Sequence, residues 1–427
     1  METKVLIVTY YWPPSGGAGV QRCLKFVKYL PYFGIEPIVL TVENPTYPIW
    51  DPSLEEDIPD SLPIYKSNTI EPFKIYTGLS REKDEKIKPT VELKGKGLQS
   101  KIASWLRANI FIPDARIGWL ITAKRKATQL AREHNIHTVL TSGPPHSVHF
   151  VGKHLKKKTG ARWLADFRDP WSGIYYNKIL PRTRLAQRLD EALELSVLKS
   201  ADEVIVVTKS QLKDTEKIYE REYQLIPNGY DPEDFLNIQS QIPDPPPLII
   251  RYIGSIGETR IPEALLKVLA SMPESIGLKI EFIGHVHKRL SELIEKYNLQ
   301  NRILVREYLP HRKALEEMCS AHWLLLCIPE RGGMGKNMIP GKMFEYLGSG
   351  RPIFLLGPKN GDAAHVIRDQ NAGIMCSFHD EAAIRETLDS MYRSTELQTI
   401  YQPDDPLSYS RKQLTKSLSE LILQKKI

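Results

Sequence analysis

"QIPDPPPLIIRYIGSIGETR", residues 241 to 260, decides how the chain is built. Its first part, Gln241–Pro247, is dominated by proline, which lacks the backbone N–H and fixes φ, so it continues neither a helix nor a β ladder and reads as a stiff linker. Its second part, Leu248–Ile253, is a largely apolar run ending in Gly254, the pattern of a core strand that stops in a tight turn. Ahead of the linker, short apolar runs at Val5–Thr9, Ile38–Thr41, Thr138–Thr141, Trp163–Asp166 and Val204–Thr208 alternate with helical stretches. Behind it the pattern restarts at Leu248–Ile253 and returns at Leu278–Ile283, Ile303–Val305, Trp323–Ile328 and Ile353–Leu356. Such alternation predicts α/β architecture, with a parallel sheet carrying helices on both faces in each half.

A length of 427 residues exceeds what one hydrophobic core usually organises, which fits the division. The expected domains are residues 1–240 and 241–404. A last helix over 405–427, with Leu414, Leu418, Leu421 and Ile422 on one stripe, either caps the second domain or crosses back to the first. No internal repeat of fixed period is visible. The polar stretch Ser80–Gly97, rich in Lys, Glu and Gly, reads as a mobile loop.

Composition narrows the class. Cys23, Cys319, Cys327 and Cys376 are scattered with no C-x-x-C pair, which disfavours a disulfide framework and a structural zinc site and suits a reducing cytoplasm. Met1–Lys4 leads straight into a core strand too short for an export signal. No stretch reaches the roughly 18 apolar residues of a membrane span. The formal charge of +7 suits an anionic small ligand or a membrane surface as well as it suits nucleic acid.

Three stretches of the first half follow strand ends, where open α/β sheets bind ligands. "YYWPPSGGAGVQR" (residues 10–22) turns through Ser15, Gly16 and Gly17 into a helix, which brings backbone N–H groups toward an anion; a plain tight turn is the alternative. It departs from the dinucleotide fingerprint, because Arg22 stands at the third glycine position. "TSGPPHSVHF" (141–150) and "WLADFRDPWSG" (163–173) bring His146, Asp166, Arg168 and Asp169 to strand ends. Charges so close together serve each other or a polar ligand. His146 and His149 have metal-compatible spacing, but no nearby Cys or acidic residue completes a site, so His146 reads as a polar contact to substrate or as a helix cap.

The second half offers Gly254, Ser255 and Gly257 with Arg260, then Gly284 after "EFI", then "PERGGMGKNMIPGKMFEY" (329–346). That last stretch is glycine-rich and cationic, and neither of its Gly-Lys pairs is followed by Ser or Thr as a Walker A loop requires. It ends on Glu345, a carboxylate set among Phe344, Tyr346 and Leu347 on what reads as the buried side of a helix. No D-x-D triplet occurs, so no metal-bridged pyrophosphate site is expected. Glycine amides, helix N-termini and Lys/Arg are what this half supplies for such an anion.

Two α/β halves with "PPSGGAGVQR", "LIPNGYDPEDF" and "PGKMFEYLGSGRPI" resemble the GT-B glycosyltransferases, and within them the family-4 retaining enzymes of bacterial surface polysaccharide assembly. The resemblance covers nearly the whole chain and implies two Rossmann-like domains facing across a cleft, acceptor on the first and nucleotide sugar on the second. It implies that the final helix crosses back onto the first domain, and that Glu345 binds the ribose hydroxyls of the donor, accepting from both at once. It further implies a donor site built from Gly254, Ser255, Arg260, Gly284, Glu330, Gly332, Gly333, Lys336, Asn337, Lys342 and Glu345. A loop at Ser15, Gly16 and Gly17 would serve acceptor or phosphate, and catalytic positions would lie at His146, Asp166, Arg168 and Asp169.

The sequence departs from the family pattern at three points. Asn337 stands where the family has a second Glu, so the donor-sugar contact changes or moves to Glu330 or Lys336. Arg260 is the only convenient cation after the first strand of the second half. A histidine that the family often carries is replaced within Asp166–Asp169.

The implied reaction transfers a hexosyl or N-acetylhexosaminyl group from a UDP- or GDP-sugar to a glycan or lipid-linked acceptor, with retention and without metal or resident cofactor. Arg260, Lys336 and loop amides would neutralise the diphosphate, while His146, Asp166 and Asp169 orient the acceptor hydroxyl. Two alternatives stay open: a GT-B nucleotide-sugar 2-epimerase, and a non-catalytic nucleotide-sugar-binding partner in a polymer-assembly complex. Nucleic acid is not an expected partner. "LQSKIASWLRANIF" (98–111), with Ile102–Phe111 mixing Trp105 and basic residues, and "KHLKKKTGAR" (Lys153–Arg162) read either as a core helix and a solvated face or as a surface docking on anionic lipid. The expected location is the cytoplasm, with docking on the inner face of the plasma membrane open.

Overall fold

The computed structural model describes residues 3–45, 50–69, 98–173, 180–239, 241–330, 335–394 and 400–424. The stretch Ser80–Gly97 and the glycines Gly332 and Gly333 therefore lie outside the described residues, as does the side chain of Ile102.

The chain divides into two compact units, residues 1–228 with 411–427 and residues 229–410. Among the described residues the first contains seven parallel strands: β1 (Thr3–Thr9), β2 (Ile35–Val42), β3 (Ile64–Ser67), β4 (Thr138–Gly143), β5 (Arg162–Phe167), β6 (Glu203–Val206) and β7 (Gln224–Leu225). Their order in the sheet is β3-β2-β1-β4-β5-β6-β7. Both faces are covered, and β1 shows why an unbroken apolar run is required. Leu6 and Val8 enter one core with Trp119, Leu130, Val151 and Trp163, while Val5 and Ile7 enter another with Leu24, Val27, Leu418 and Leu421. The second of these cores contains the stripe of the C-terminal helix Arg411–Leu423, which packs against the helix Ala18–Tyr29 of the first unit.

The second unit contains β8 (Leu248–Ile253), β9 (Leu278–Ile283), β10 (Ile303–Arg306), β11 (Trp323–Cys327), β12 (Ile353–Leu356) and β13 (Gly373–Cys376), all parallel, in the order β10-β9-β8-β11-β12-β13. Alternate residues of β11 again serve two cores: Trp323 and Leu325 on one side, Leu324 and Leu326 on the other.

The division falls between Asn228 and Gly229, ahead of the proline-rich stretch. Packing explains the offset. Tyr230, Phe235 and Ile238 join Phe344, Tyr346 and Leu347 in the second core, and Tyr230 pairs with Ser410 at the other end of the unit. The prolines are therefore a bend inside the second unit.

Each sheet reverses its order at one strand, β1 in the first and β8 in the second, each flanked by a neighbour on either side. Crevices at the carboxyl ends of such strands are the natural ligand sites of α/β sheets.

Candidate functional site

In the second unit the site grows from the end of β8. Gly254, the first residue after the strand, holds φ at +113°, and Gly284 after β9 holds +131°. A methyl group on Gly284 would stand 2.7 Å from the Gly254 carbonyl oxygen, so only glycine permits this approach of two strand ends. The helix Gly341–Gly348 lies against them: the Tyr346 hydroxyl accepts from Ile253 N at 2.9 Å and pins the helix to the last residue of β8.

Three charged side chains meet here. Lys342, on the first turn of that helix, carries its Nζ 3.9 Å above the Tyr252 ring centroid, shut off from solvent and without a hydrogen-bond partner among the described residues. Arg260 sits in the short turn Glu258–Arg260 after β8 and approaches the Met338 sulfur at 3.8 Å. Glu345 is partly exposed and its Oε1 lies 3.1 Å from Nε2 of His311, the first residue of the helix His311–Cys319. The carboxylate set within an apolar stripe is thus turned out of it, with Phe344 and Tyr346 on either side buried. Ser255 follows Gly254 in the same turn. Glu330 lies after β11, where its Oε2 accepts from the Ser377 hydroxyl at 2.8 Å. Lys336 and Asn337 are exposed, and the Lys336 backbone carbonyl accepts from Asp362 N at 2.8 Å. His311 carries no signal in the sequence; only the fold brings it to Glu345.

In the first unit the expected cluster comes apart. Asp166 is fully buried at the end of β5 and both its oxygens are used: Arg22 donates from Nε at 3.0 Å and from Nη2 at 2.9 Å, and the Ser142 hydroxyl donates at 2.7 Å. Arg22 is equally buried and also donates to the carbonyls of Pro227 at 2.7 Å and Ile226 at 2.9 Å. The sequence pattern assigns Asp166 to the acceptor hydroxyl; the structure makes it an interior tie between β5, the helix Ala18–Tyr29 and the chain leaving the unit. The same tie explains why an arginine occupies the third glycine position of the first loop. Asp169, three residues on, has solvent-accessible surface, yet enough atoms surround its carboxyl that burial raises its pKa while Arg168 beside it lowers it.

Arg168 stays at the carboxyl edge. It donates from Nε to the Gly143 carbonyl at 3.1 Å and from Nη2 to the Pro144 carbonyl at 2.5 Å. Its guanidinium lies directly over Gly19, where a methyl group would overlap it. His146 is buried and stacks on Trp171 at 4.8 Å and 9°. Neither of its nitrogens reaches a well-formed hydrogen bond, the Pro170 carbonyl offering only a loose approach. Burial and the neighbouring Arg168 push its pKa down to about 3, so the ring is neutral at working pH. It does not cap the following helix His149–Thr159, which has no side-chain cap; Asp114 instead holds the short turn His146–Val148 ahead of it, accepting from Ser147 N at 2.8 Å and from the Ser147 hydroxyl at 2.9 Å. His149 stacks on Phe167 and bonds through Nδ1 to the Thr141 hydroxyl at 2.9 Å, leaving Nε2 unpartnered. That nitrogen and His146 Nδ1 converge on Gly143, whose missing methyl would stand 2.8 Å and 3.3 Å from them. The first loop adds Ser15, buried with its hydroxyl unpartnered, Gly16, and Gly17 with φ at +109°.

The basic stretch Lys153–Arg162 is largely spoken for. Lys153 donates to the Ser196 carbonyl at 3.3 Å, Lys156 pairs with Asp202 at 2.9 Å, and Arg162 pairs with Glu203 at 2.9 Å and donates to the Leu421 carbonyl of the C-terminal helix. Lys157 and Lys158 remain exposed, as does Trp105 on the helix Leu98–Asn109. No helix among the described residues is long and apolar enough to cross a membrane.

Comparison with known proteins bears on both units. Residues 93–234 match the family model "Glycosyltransferase Family 4", and residues 234–403 match "Glycosyl transferases group 1". A comparison with curated protein sequences finds no match. Among solved structures, Anabaena HepE in complex with UDP is similar over 98% of this chain and 99% of its own, at 12% identity and a TM-score of 0.63. TarM from S. aureus, in a mutant complex with fondaparinux, alpha-GlcNAc-glycerol and UDP, is similar over 99% and 100%, at 13% identity and a TM-score of 0.63. WaaG, a glycosyltransferase involved in lipopolysaccharide biosynthesis, is similar over 99% and 100%, at 15% identity and a TM-score of 0.57. At these identities the likeness establishes the two-domain α/β fold that they share.

Proposed function

We propose, from the premise that this chain belongs to the family-4-like glycosyltransferases of GT-B fold, that it moves a hexosyl or N-acetylhexosaminyl group from a nucleoside-diphosphate sugar to a glycan or lipid-linked acceptor, with retention at the anomeric carbon, in cell-surface polysaccharide assembly. The observation that carries the reading is the corner at β8: two positive-φ glycines, an enclosed lysine, Arg260 and an outward-turned carboxylate on one helix. Glycine amides and cations suit a diphosphate, and a carboxylate suits a pair of ribose hydroxyls. The UDP in the HepE and TarM complexes favours a UDP-sugar as donor.

Catalysis on this reading is positioning and leaving-group stabilisation. Backbone amides at Gly254 and Gly284, with Lys342 and Arg260, take up charge as the sugar–phosphate bond breaks. The departing phosphate receives the acceptor's proton, so no carboxylate pair is required. On the first unit the neutral imidazoles of His146 and His149 and the guanidinium of Arg168 supply polar contacts for the acceptor and the transferring sugar.

The deciding experiment follows UDP release from a panel of UDP-sugars with and without lipid-linked glycan, and the anomeric configuration of the product by NMR. Release that depends on acceptor, with donor and product anomers matching, is expected. A nucleotide sugar isomerised by enzyme alone would assign the chain to the 2-epimerases instead.

Because the sequence lacks a D-x-D triplet and cations line the proposed diphosphate corner, turnover should persist in EDTA. Complete loss of activity, restored by manganese or magnesium, would mean that a metal ion holds the diphosphate.

The lipid-linked acceptor also implies a surface that meets anionic lipid, with Trp105, Lys157 and Lys158 as its exposed candidates. Co-sedimentation with anionic vesicles should occur at low salt, weaken with added salt, and drop in a Trp105→Ser/Lys157→Ser/Lys158→Ser variant. Wild-type protein that ignores such vesicles would point to a soluble acceptor.

A further inference from the structure

Building on the reading of the β8 corner as a nucleotide site, we infer that Lys342 is the charge partner of the diphosphate and takes up a proton as the nucleotide binds.

The geometry of the β8 corner makes this case. Lys342 belongs to the first turn of an eight-residue helix, where the chain is partly exposed, yet its Nζ is enclosed. It lies where a side chain on Gly254 would be, 2.8 Å from the position of the absent methyl. The surrounding groups do little to hold an ammonium there. Tyr252 of β8 offers its ring face, a modest attraction for a cation. Arg260, from the turn after β8, repels it. Cys327 at the end of β11 stays a neutral thiol, its pKa pushed up to about 12 by burial. On the lysine's own helix, Glu345 attracts it but is engaged with His311, and Tyr346 is a neutral phenol bonded to Ile253. A buried amine with no hydrogen-bond acceptor and a cation for a neighbour favours its neutral form. Burial, then Arg260, bring its pKa down to about 7.

A diphosphate seated at Gly254 reverses the balance. It places several negative charges and free acceptor oxygens beside Nζ, which stabilise the ammonium. Above about pH 7 the empty corner is uncharged at Lys342, so binding draws in a proton. Below that pH the amine is already charged and the uptake fades. Affinity should therefore fall as pH rises above about 7, by up to about tenfold per pH unit until the bound lysine itself titrates.

The same sign applies to folding. An amine whose pKa is lower folded than unfolded leaves the unfolded chain holding the extra proton, so the empty protein carries a charging penalty that shrinks as pH rises from about 7 toward the unfolded value. Lys342→Met removes that penalty and preserves side-chain length, and the empty variant should melt no lower than wild type at neutral pH.

The test is titration calorimetry of UDP, and in parallel of GDP, at pH 8 in phosphate and in Tris, whose different ionisation enthalpies report protons exchanged. Wild-type protein should take up close to one proton per nucleotide. Lys342→Met should bind more weakly and take up none, whereas Lys342→Arg, permanently charged, should bind with no uptake. Nucleotide binding with a heat independent of buffer in the wild type, or uptake that survives in Lys342→Met, overturns the inference and leaves the glycosyltransferase reading intact. Failure of the folded wild type to bind either nucleotide removes the nucleotide-sugar reading and this inference with it.

Discussion

Asp166→Ala is expected to melt the first unit at a temperature lower by about 6–12 °C, with the catalytic consequences secondary to that loss. Asp166 and Arg22 are both fully enclosed, and their two parallel contacts at 3.0 Å and 2.9 Å are the bidentate form of an ion pair. Removing the carboxylate strands a guanidinium in the interior, a change that typically costs about 3–5 kcal/mol. Two carbonyls, those of Pro227 and Ile226, still accept from Arg22, which keeps the loss toward the lower end. Asp166→Asn should fall between, and a Arg22→Met/Asp166→Leu pair should recover much of the loss, because replacing both partners with apolar groups leaves no charge unpaired. Thermal melts of the four proteins measure this. An Asp166→Ala protein that melts like wild type while losing turnover would return Asp166 to the catalytic machinery.

That reassignment illustrates what the sequence conveys and what it leaves out. Among the described residues, nine of the ten strands that stand out as apolar runs are interior and are covered on both faces, as β1 and β11 show by serving two cores each; the tenth, β10, is an edge whose run Ile303–Val305 is still apolar. The three strands that escaped, β3, β7 and β13, are sheet edges. β7 has two residues, and β3 reads Ile-Tyr-Lys-Ser, so neither offers a run that pattern alone distinguishes from loop. The unit boundary was misplaced for a related reason: proline marks where regular structure stops, while the boundary depends on where Tyr230 and Phe235 find a core.

Charged residues at the site were harder to assign, because residue type shows that a charge is present and says nothing of its partner. Asp166 and Asp169 are near neighbours in one motif, yet one is sealed against Arg22, far off in sequence, and the other keeps solvent access beside Arg168. His146 and Arg168 do lie at one strand edge, and His149 joins them there through a contact with Thr141 that no spacing rule announces. Glu345 was visible as a carboxylate within an apolar stripe, but His311 beside it comes from another helix.

Glu345→Ala should weaken binding of UDP, or of the UDP-sugar, by about 10- to 100-fold without unfolding the protein. The expected magnitude follows from two charge-assisted hydrogen bonds to the ribose hydroxyls, each about 1.5–3 kcal/mol; even half of their sum is about 1.5–3 kcal/mol. Folding should tolerate the change because the side chain is partly exposed, and the neighbours that carry the packing, Phe344, Tyr346 and Leu347, are untouched. His311, its partner among the described residues, is also partly exposed, so the contact between them contributes little to stability. Binding does require that contact to be shared or released, since Glu345 Oε1 faces His311 Nε2 at 3.1 Å. His311→Ala should accordingly leave nucleotide affinity near wild type or slightly tighter, which separates loss of the carboxylate from disturbance of its neighbourhood. Glu345→Gln keeps the shape but accepts from one hydroxyl without charge, and should fall between wild type and alanine. Calorimetric titration of the four proteins with UDP, alongside their thermal melts, decides the matter. A folded Glu345→Ala protein that binds UDP like wild type would remove Glu345 from the donor site.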